Sequence, residues 1–439
     1  MTQPKTYTFI EHNLMFFVDD DIRNKKHRHI YFCPIVTEHT YEDSLDRLYQ
    51  KITKIATKNK LNLILDLEGV ETYSNKIIEA FCKASYRYKD IKRLENVQVY
   101  SKKLVETQPH LKNILECSIV SNNILECMRL VDTPPNIIDS NTLLGHIKKN
   151  KHRDMKIKVL EEIDLKEKNM NGILAVNSGS KNPARLIEIQ YYKSSSGIAL
   201  NPVVLVGKGV IFDSGGLNLK RGDFRDMKCD KTGAVYVYGL IKTIAQMGLE
   251  GYFIALLPIV ENMPSKDAVH PGDIIKTCNG KTVEISNTDA EGRIILADAL
   301  CYAQKTFSNM KLIIDIATLT GQASSILGTM GTVVLHNKLG KSFSDKLHEI
   351  GHDNQELYWT LPLHRKFTKL LESDVADYIS YNPNAHADTI MAGLFLNEFV
   401  NPKTPWMHLD IAGVAYKQHA TGEPLSSLFN FLKDHITWK

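Results

Sequence analysis

Asn287-Thr288-Asp289-Ala290-Glu291-Gly292-Arg293 sets two carboxylates, a glycine and a guanidinium side by side. The strand-like Thr282-Val283-Glu284-Ile285 precedes it, and the apolar helical run Ile294-Ile295-Leu296-Ala297-Asp298-Ala299-Leu300 follows at once. Strand, loop and helix start is where α/β proteins place chemistry, because both flanking elements hold the loop groups rigidly. Carboxylates at i and i+2 can converge on one cation if the backbone turns between them. Arg293 adds a forked donor for a carboxylate, carbonate or phosphate. Taken alone, Asp289 and Glu291 would do no more than favour the dipole of the helix that follows.

A second stretch removes that bland reading. From Val206 to Lys220 a run of strand formers opens into Gly-rich sequence carrying Lys208, Asp213 and Lys220. Asp230 stands just before Thr232-Gly233 and another apolar helical pattern. Charges set in apolar and glycine-rich sequence are poor surface candidates, and buried charges need partners or metals.

Gly207-Lys208-Gly209, Phe212-Asp213-Ser214-Gly215-Gly216, Asp230 and Asn287 to Arg293 resemble the signatures of the leucyl (cytosol) aminopeptidase family. The resemblance continues through Asp315 to Gly321 and His408 to Gly413, and covers residues 125 to 439. It implies a metal-dependent aminopeptidase that hydrolyses the N-terminal peptide bond with a water activated by two metals. Carried over residue by residue, Lys208, Asp213, Asp230, Asp289 and Glu291 are the metal ligands, with Asp213 and Glu291 bridging. Lys220 is implied to stabilise the oxyanion, and Arg293 to hold a bicarbonate that shuttles the proton to the leaving amine. Met227, Thr318, Leu319, Gly321, Ala412 and Ala415 are the implied side-chain pocket. Several family members have a methionine where this chain has Ala415, which implies a roomier pocket and puts a leucyl preference in doubt.

The ligand set makes chemical sense. Two dications roughly 3.5–4 Å apart repel each other and need shared carboxylates between them. Lys208 can ligate only as the neutral amine, so its pKa must fall far below the ordinary value of about 10.4. Oxygen ligands with one amine admit zinc or manganese, and also magnesium or cobalt.

Length and composition set the frame. A chain of 439 residues exceeds one typical domain. Hydrophobic content of 43% and charged content of 24% are those of a globular protein, and a net charge of +4 does not call for nucleic acid. Seven cysteines without CxxC spacing point to reduced thiols in a cytosolic protein. Met1 to Asp20 lacks a secretory pattern, and no apolar run has the length of a membrane span. The basic cluster Arg23 to His29 reads as a solvated loop.

The chain is expected to be α/β in two domains. Residues 1–125 form a small N-terminal domain, with strands at 30–36, 62–67 and 96–100 and helices near 42–57, 74–89 and 102–117. The resemblance implies a role for it in assembly, as a homohexamer, and in shaping the active-site entrance. Residues 126–439 form the catalytic domain, a central mixed sheet flanked by helices, beyond a helix at 121–131 that Pro134-Pro135 stops. Strands are expected at 156–160, 172–176, 185–191, 202–207, 252–258, 311–316 and 405–410. Helices are expected at 139–149, 231–247, 289–306, 341–352, 388–400 and 425–435. Helical spacing places Val235, Tyr238, Ile241 and Ala245 on one core face.

Two other readings compete. His348-Glu349-Ile350-Gly351-His352 fits the HExxH signature of mononuclear zinc peptidases. No third ligand follows at the extended spacing, where Gln355 and Tyr358 stand instead. A DNA-binding or structural relative would need a basic groove, which scattered lysines do not reveal.

Overall fold

The computed structural model describes the backbone of residues 9–11, 14–19, 29–34, 62–66, 97–100, 108–197 and 200–436, and the side chains of Glu116, of residues 119–197 and of residues 200–436. The chain divides into two compact units, Met1–Leu125 and Glu126–Lys439.

In the first unit, β1 (Phe9–Glu11), β2 (Leu14–Asp19), β3 (His29–Pro34), β4 (Asn62–Asp66) and β5 (Val97–Tyr100) form one sheet in that order. β1, β2 and β3 pair antiparallel, and β3, β4 and β5 pair parallel. The helices expected near 42–57 and 74–89, and the start of that near 102–117, lie outside the described residues. A helix runs from Gln108 to Asp132.

The strands of the second unit are β6 (Met155–Leu160), β7 (Arg185–Lys193), β8 (Val203–Gly207), β9 (Gly209–Asp213), β10 (Gly251–Asn262), β11 (Ile274–Lys276), β12 (Thr282–Glu284), β13 (Leu312–Ala317), β14 (Gly331–His336), β15 (Leu357–Thr360), β16 (Tyr378–Ile379) and β17 (Trp406–Asp410). Its main sheet runs β15-β14-β17-β13-β8-β10-β7-β6, with β9 on the far end of β10; β11, β12 and β16 make a small separate sheet. β17, β13, β8 and β10 are mutually parallel, while β14 and β7 join antiparallel, so the sheet is mixed around a parallel centre.

The central strands are buried along their whole length, as expected where helices cover both faces. Val204, Val206, Ile254 and Leu256 share one hydrophobic cluster with Ile294 to Ala303 of the helix Glu291–Thr306. The helix Thr232–Met247 packs on β8, β10 and β13, and its residues lie outside that cluster. Alternation along the strands therefore assigns the two helices to opposite faces. Thr232 to Ala245 are buried all round, so the core takes the whole helix rather than the one face its spacing suggested.

One element differs in kind. Residues 172–176, expected as a strand, belong to the helix Asn171–Asn177. A short apolar run is ambiguous by periodicity alone, and a distant group decides it. Asp298 Oδ2 accepts the N–H groups of Gly172 (2.7 Å) and Ile173 (3.1 Å), satisfying two orphan donors of the helix start.

Because β8, β10, β13 and β17 run parallel, their carboxyl ends open on one edge of the sheet. Lys208 leaves β8 there, Asn262 closes β10, Thr318 follows β13 and Asp410 ends β17. In open α/β sheets that edge is where ligands bind.

Candidate metal centre

Lys208 is 2% exposed. Its Nζ lies 2.8 Å from Asp230 Oδ1 and 2.8 Å from Glu291 Oε1, and donates to the Thr318 carbonyl at 2.8 Å. Glu291 opens its helix, and the glycine after it lets Lys208 approach: a Cβ at Gly292 would stand 2.6 Å from Lys208 Cε. Thr318 Oγ1 donates to Asp230 Oδ1 at 2.7 Å. Lys220 spans the other side, its Nζ 2.7 Å from Asp213 Oδ2 and 2.6 Å from Asp289 Oδ1. Ligand atoms of Asp213, Asp289 and Glu291 come within 4.8 Å of one another. The five residues that the resemblance assigns to metals thus converge with Lys220 in one place.

The turn from Asp213 to Lys220 is held by groups to which the sequence reading gave no role of their own. Gly215, at φ +88°, donates its N–H to Asp213 Oδ1 at 2.9 Å, and a Cβ there would stand 2.5 Å from the Asn218 carbonyl. Thr288 and Asn218 clasp the turn to the 287–291 loop: Thr288 Oγ1 donates to the Gly215 carbonyl, and Thr288 N–H donates to Asn218 Oδ1. Buried Asn262 joins the same two loops. Its Nδ2 donates to Asp213 Oδ1 at 2.8 Å and to the Thr288 carbonyl at 2.9 Å. These partners lie 26 to 73 residues apart in the chain, so no local spacing could announce them.

A prediction follows for Asn262. Asn262→Ala removes both donors, and groups that orient metal ligands are typically worth about 10–100-fold in metal affinity. Competition titration with a chromogenic chelator should register a loss of that order. Wild-type affinity in the variant would show that Asp213 is oriented without Asn262.

Four carboxylates and two ammonium groups crowd a largely buried space. Burial, then the nearby Asp213, pushes Glu291 up to about 7 and Asp289 up to about 6. Burial likewise raises Asp230. Burial acts to lower both lysines, yet the surrounding carboxylates outweigh it and hold each well above its usual range. Next to Asp230, buried Lys231 donates to the carbonyls of Val131, Thr133 and Lys228, and burial pulls it down to about 7.

The residues fit divalent metals. Buried Asp230 Oδ2 has no hydrogen-bond partner. Glu291 Oε1 and Asp289 Oδ1 touch lysines at ion-pair distance, but without hydrogen-bond angles. Unsatisfied buried carboxylate oxygens facing one another are costly unless a cation takes them. The donor set, carboxylates with one amine, suits zinc, manganese, magnesium or cobalt alike.

The implied bicarbonate does not fit in the same way. Arg293, 2% exposed, already donates from Nη2 to Asp388 Oδ1 at 2.7 Å and from Nη1 to the Ser380 carbonyl at 3.0 Å. Its Nε has no partner, and each Nη nitrogen makes one hydrogen bond to the chain. A second anion there would face Asp388 across one guanidinium, and like charges 4 Å apart repel by about 4 kcal/mol at an effective dielectric near 20.

The remaining candidates are placed as follows. Leu319 lies against Gly292, and Asp410 Oδ1 and Oδ2 accept the N–H groups of Leu319 and Thr320 at 3.1 Å each. Gly321 is exposed at the start of the helix Gly321–Leu327. Ala412 is half-buried against Ala323, Val333 and Leu335, and Met227 is half-buried in the turn that carries Asp230. Ala415 has 0% exposure, so a longer side chain there must displace its neighbours.

The HExxH reading fails on geometry. On the helix Lys341–Asp353, His348 Nε2 bonds Thr360 Oγ1 at 2.9 Å, Glu349 pairs with Lys346, and the His352 side chain is 93% exposed. The spacing arises on an amphipathic surface helix whose Ser344, Leu347 and Gly351 face the core.

A parallel sheet edge bearing clustered carboxylates and lysines defines an α/β protein with a candidate metal centre at its strand ends. The catalytic-domain model of the cytosol aminopeptidase family matches residues 126–429. A probable cytosol aminopeptidase of Vesicomyosocius okutanii is 34% identical over 411 residues, 91% of this chain and 84% of that protein. One from Cenarchaeum symbiosum is 40% identical over 294 residues, 66% of this chain and 59% of that protein. Among solved structures, the bottromycin maturation enzyme BotP in complex with Mn superposes with a TM-score of 0.79 at 29% identity, covering 89% of this chain and 86% of that one. The chain belongs to the cytosol aminopeptidase family. It is a metallo-exopeptidase of the leucyl aminopeptidase type, acting on peptides. Among the described residues no helix is long and apolar enough to cross a membrane.

Proposed function

We propose that the chain removes N-terminal residues from peptides at a two-metal centre held by Lys208, Asp213, Asp230, Asp289 and Glu291, with zinc, manganese or both as the working metals. The observation that carries this reading is the convergence of four carboxylates with the buried Asp230 Oδ2 left unpartnered. Bound metals would supply a nucleophilic water at neutral pH and polarise the scissile carbonyl.

The chain's own residues do the rest. Asp213 and Glu291, the bridging pair that the family resemblance implies, serve as the shared ligands. Lys208 must give up a proton from Nζ before its lone pair can ligate, so loading the site releases acid. Asp230, with one oxygen free, is assigned to the end of the site that receives the substrate's α-amine. Lys220 keeps its proton. Its present partners, Asp213 and Asp289, are ligands in this reading, so metal loading frees the ammonium to stabilise negative charge on the substrate oxygen. Thr318 holds both Lys208 and Asp230. The side-chain pocket is assigned to it with Leu319, Met227, Gly321 and Ala412, while Ala415, which has no exposed surface, does not line it.

The unit Met1–Leu125 is assigned to assembly and to the entrance, in a cytosolic homohexamer. Sedimentation of the whole chain would register a hexamer directly.

The test of the reaction is a panel of aminoacyl peptides with free or acetylated amino termini, assayed with chelator and with added manganese. Free amines should be cleaved, acetylated ones should not, and chelation should stop the cleavage of the free ones. Equal cleavage of blocked and free peptides would overturn the reading, because nothing would then depend on the α-amine.

A further inference from the structure

Arg293 lies two residues beyond Glu291 on the same helix, and its guanidinium is sealed from solvent. A buried cation requires a counter-charge. Here the chain provides it. Asp388, the first residue of the helix Asp388–Asn397, reaches Nη2 at 2.7 Å while its own side chain stays 29% exposed. This is no remote surface pair. The adjacent Thr389 shares a 2.7 Å hydroxyl–hydroxyl bond with Thr320, and its N–H donates to Gln322 Oε1 at 3.1 Å. Gln322 in turn donates to the His386 carbonyl at 3.0 Å. The segment carrying Asp388 is therefore stitched to the Thr318–Thr320 loop, which also holds Lys208 and Asp230. From its exposed edge Asp388 opens toward solvent, and its Oδ1 meets Nη2 of the Arg293 fork, whose Nη1 is held by the Ser380 carbonyl.

We infer that Asp388 is the resident carboxylate of the Arg293 site, so that this enzyme works without an exogenous bicarbonate. The inference rests on the two-metal aminopeptidase reading. It treats Asp388 as a positioning residue that acts through Arg293: it neutralises the guanidinium, fixes its plane and keeps a second anion out. Removing the carboxylate while keeping the arginine should create a vacant anion seat that small anions can fill.

The experiment compares initial rates of the metal-loaded, full-length enzyme in carbonate-depleted buffer with and without added bicarbonate or formate. Wild type, Asp388→Asn and Asp388→Gly are run in parallel, with thermal melts and metal content for each. Wild type should keep its rate whether or not bicarbonate is present. Asp388→Gly should melt cooperatively, hold its metals and lose about 10²-fold or more in kcat, the lower end of the span usual for groups that handle charge and protons in a reaction. Bicarbonate or formate should restore much of that loss, and Asp388→Asn, which fills the seat without a charge, should be restored less. A saturable rise of the wild-type rate with bicarbonate would overturn the inference. So would full activity of folded Asp388→Gly in carbonate-free buffer, or a folded, metal-replete Asp388→Gly that no anion restores. If the variants do not fold, the wild-type titration decides by itself. Failure of the underlying reading would look different, because the wild-type enzyme would then show no amine-dependent hydrolysis in any buffer.

Discussion

Asp289→Asn is expected to lose most of its turnover and to bind metal weakly, whereas a double variant carrying His348→Gln and His352→Gln keeps both. Asp289 stands with Asp213 and Glu291 in the carboxylate cluster, and its Oδ1 lies 2.6 Å from Lys220 Nζ. The amide keeps the shape of the side chain but removes the charge that balances a dication. Even groups that only support a ligand are worth about 10–100-fold in metal affinity, so the loss of a ligand should be at least as large. The two histidines share a helix, yet His352 points into solvent and His348 bonds a threonine. Elemental analysis should return about two metals per chain for the histidine variant, as in other two-metal hydrolases. A dead histidine variant beside a fully active Asp289→Asn would reverse the assignment.

Lys220→Ala should separate binding from chemistry. The ammonium is held now by Asp213 and Asp289, and in the loaded enzyme those carboxylates belong to the metals. Its remaining work is to stabilise charge that develops on the substrate in the transition state. Removing one donor of that kind typically costs about 10²–10³-fold in kcat. Substrate affinity should change little by comparison, since the interaction strengthens only as charge builds. Metal content should stay at the wild-type level, or rise at low metal concentration because a competing cation has gone. Loss of metal in Lys220→Ala would instead make Lys220 part of the site's scaffold.

The chain's local chemistry was readable without coordinates wherever functional groups cluster in sequence. Asp289, Glu291 and Arg293 sit at one loop-to-helix junction, and Lys208, Asp213 and Lys220 within one strand-to-turn segment, so their convergence in one site could be anticipated. Runs such as Val203 to Val206 and Leu312 to Ile314 announced the strands at 202–207 and 311–316 of a sheet flanked by helices. Where the reading failed, a partner far along the chain made the decision. Residues 172–176 became helix because Asp298, 126 residues from Gly172, accepts the orphan N–H groups at its start. The HExxH match carried no information about which side of its helix faces the core.

By itself, then, the sequence determined the family, six strands of the main sheet with the long helices around them, and the residue types able to hold a cation. Those properties depend on neighbours a few positions away, through periodicity, turn chemistry and clustered charge. Only the tertiary structure decided which oxygens are left unpaired and which charges are already answered. Asn262 straps Asp213 to the Thr288 carbonyl across 49 and 26 residues, and Asp388 meets Arg293 across 95. Hydrogen bonds and ion pairs reach only about 3 Å, so whether a buried group has a partner depends on what the fold sets beside it rather than on what precedes it in the chain.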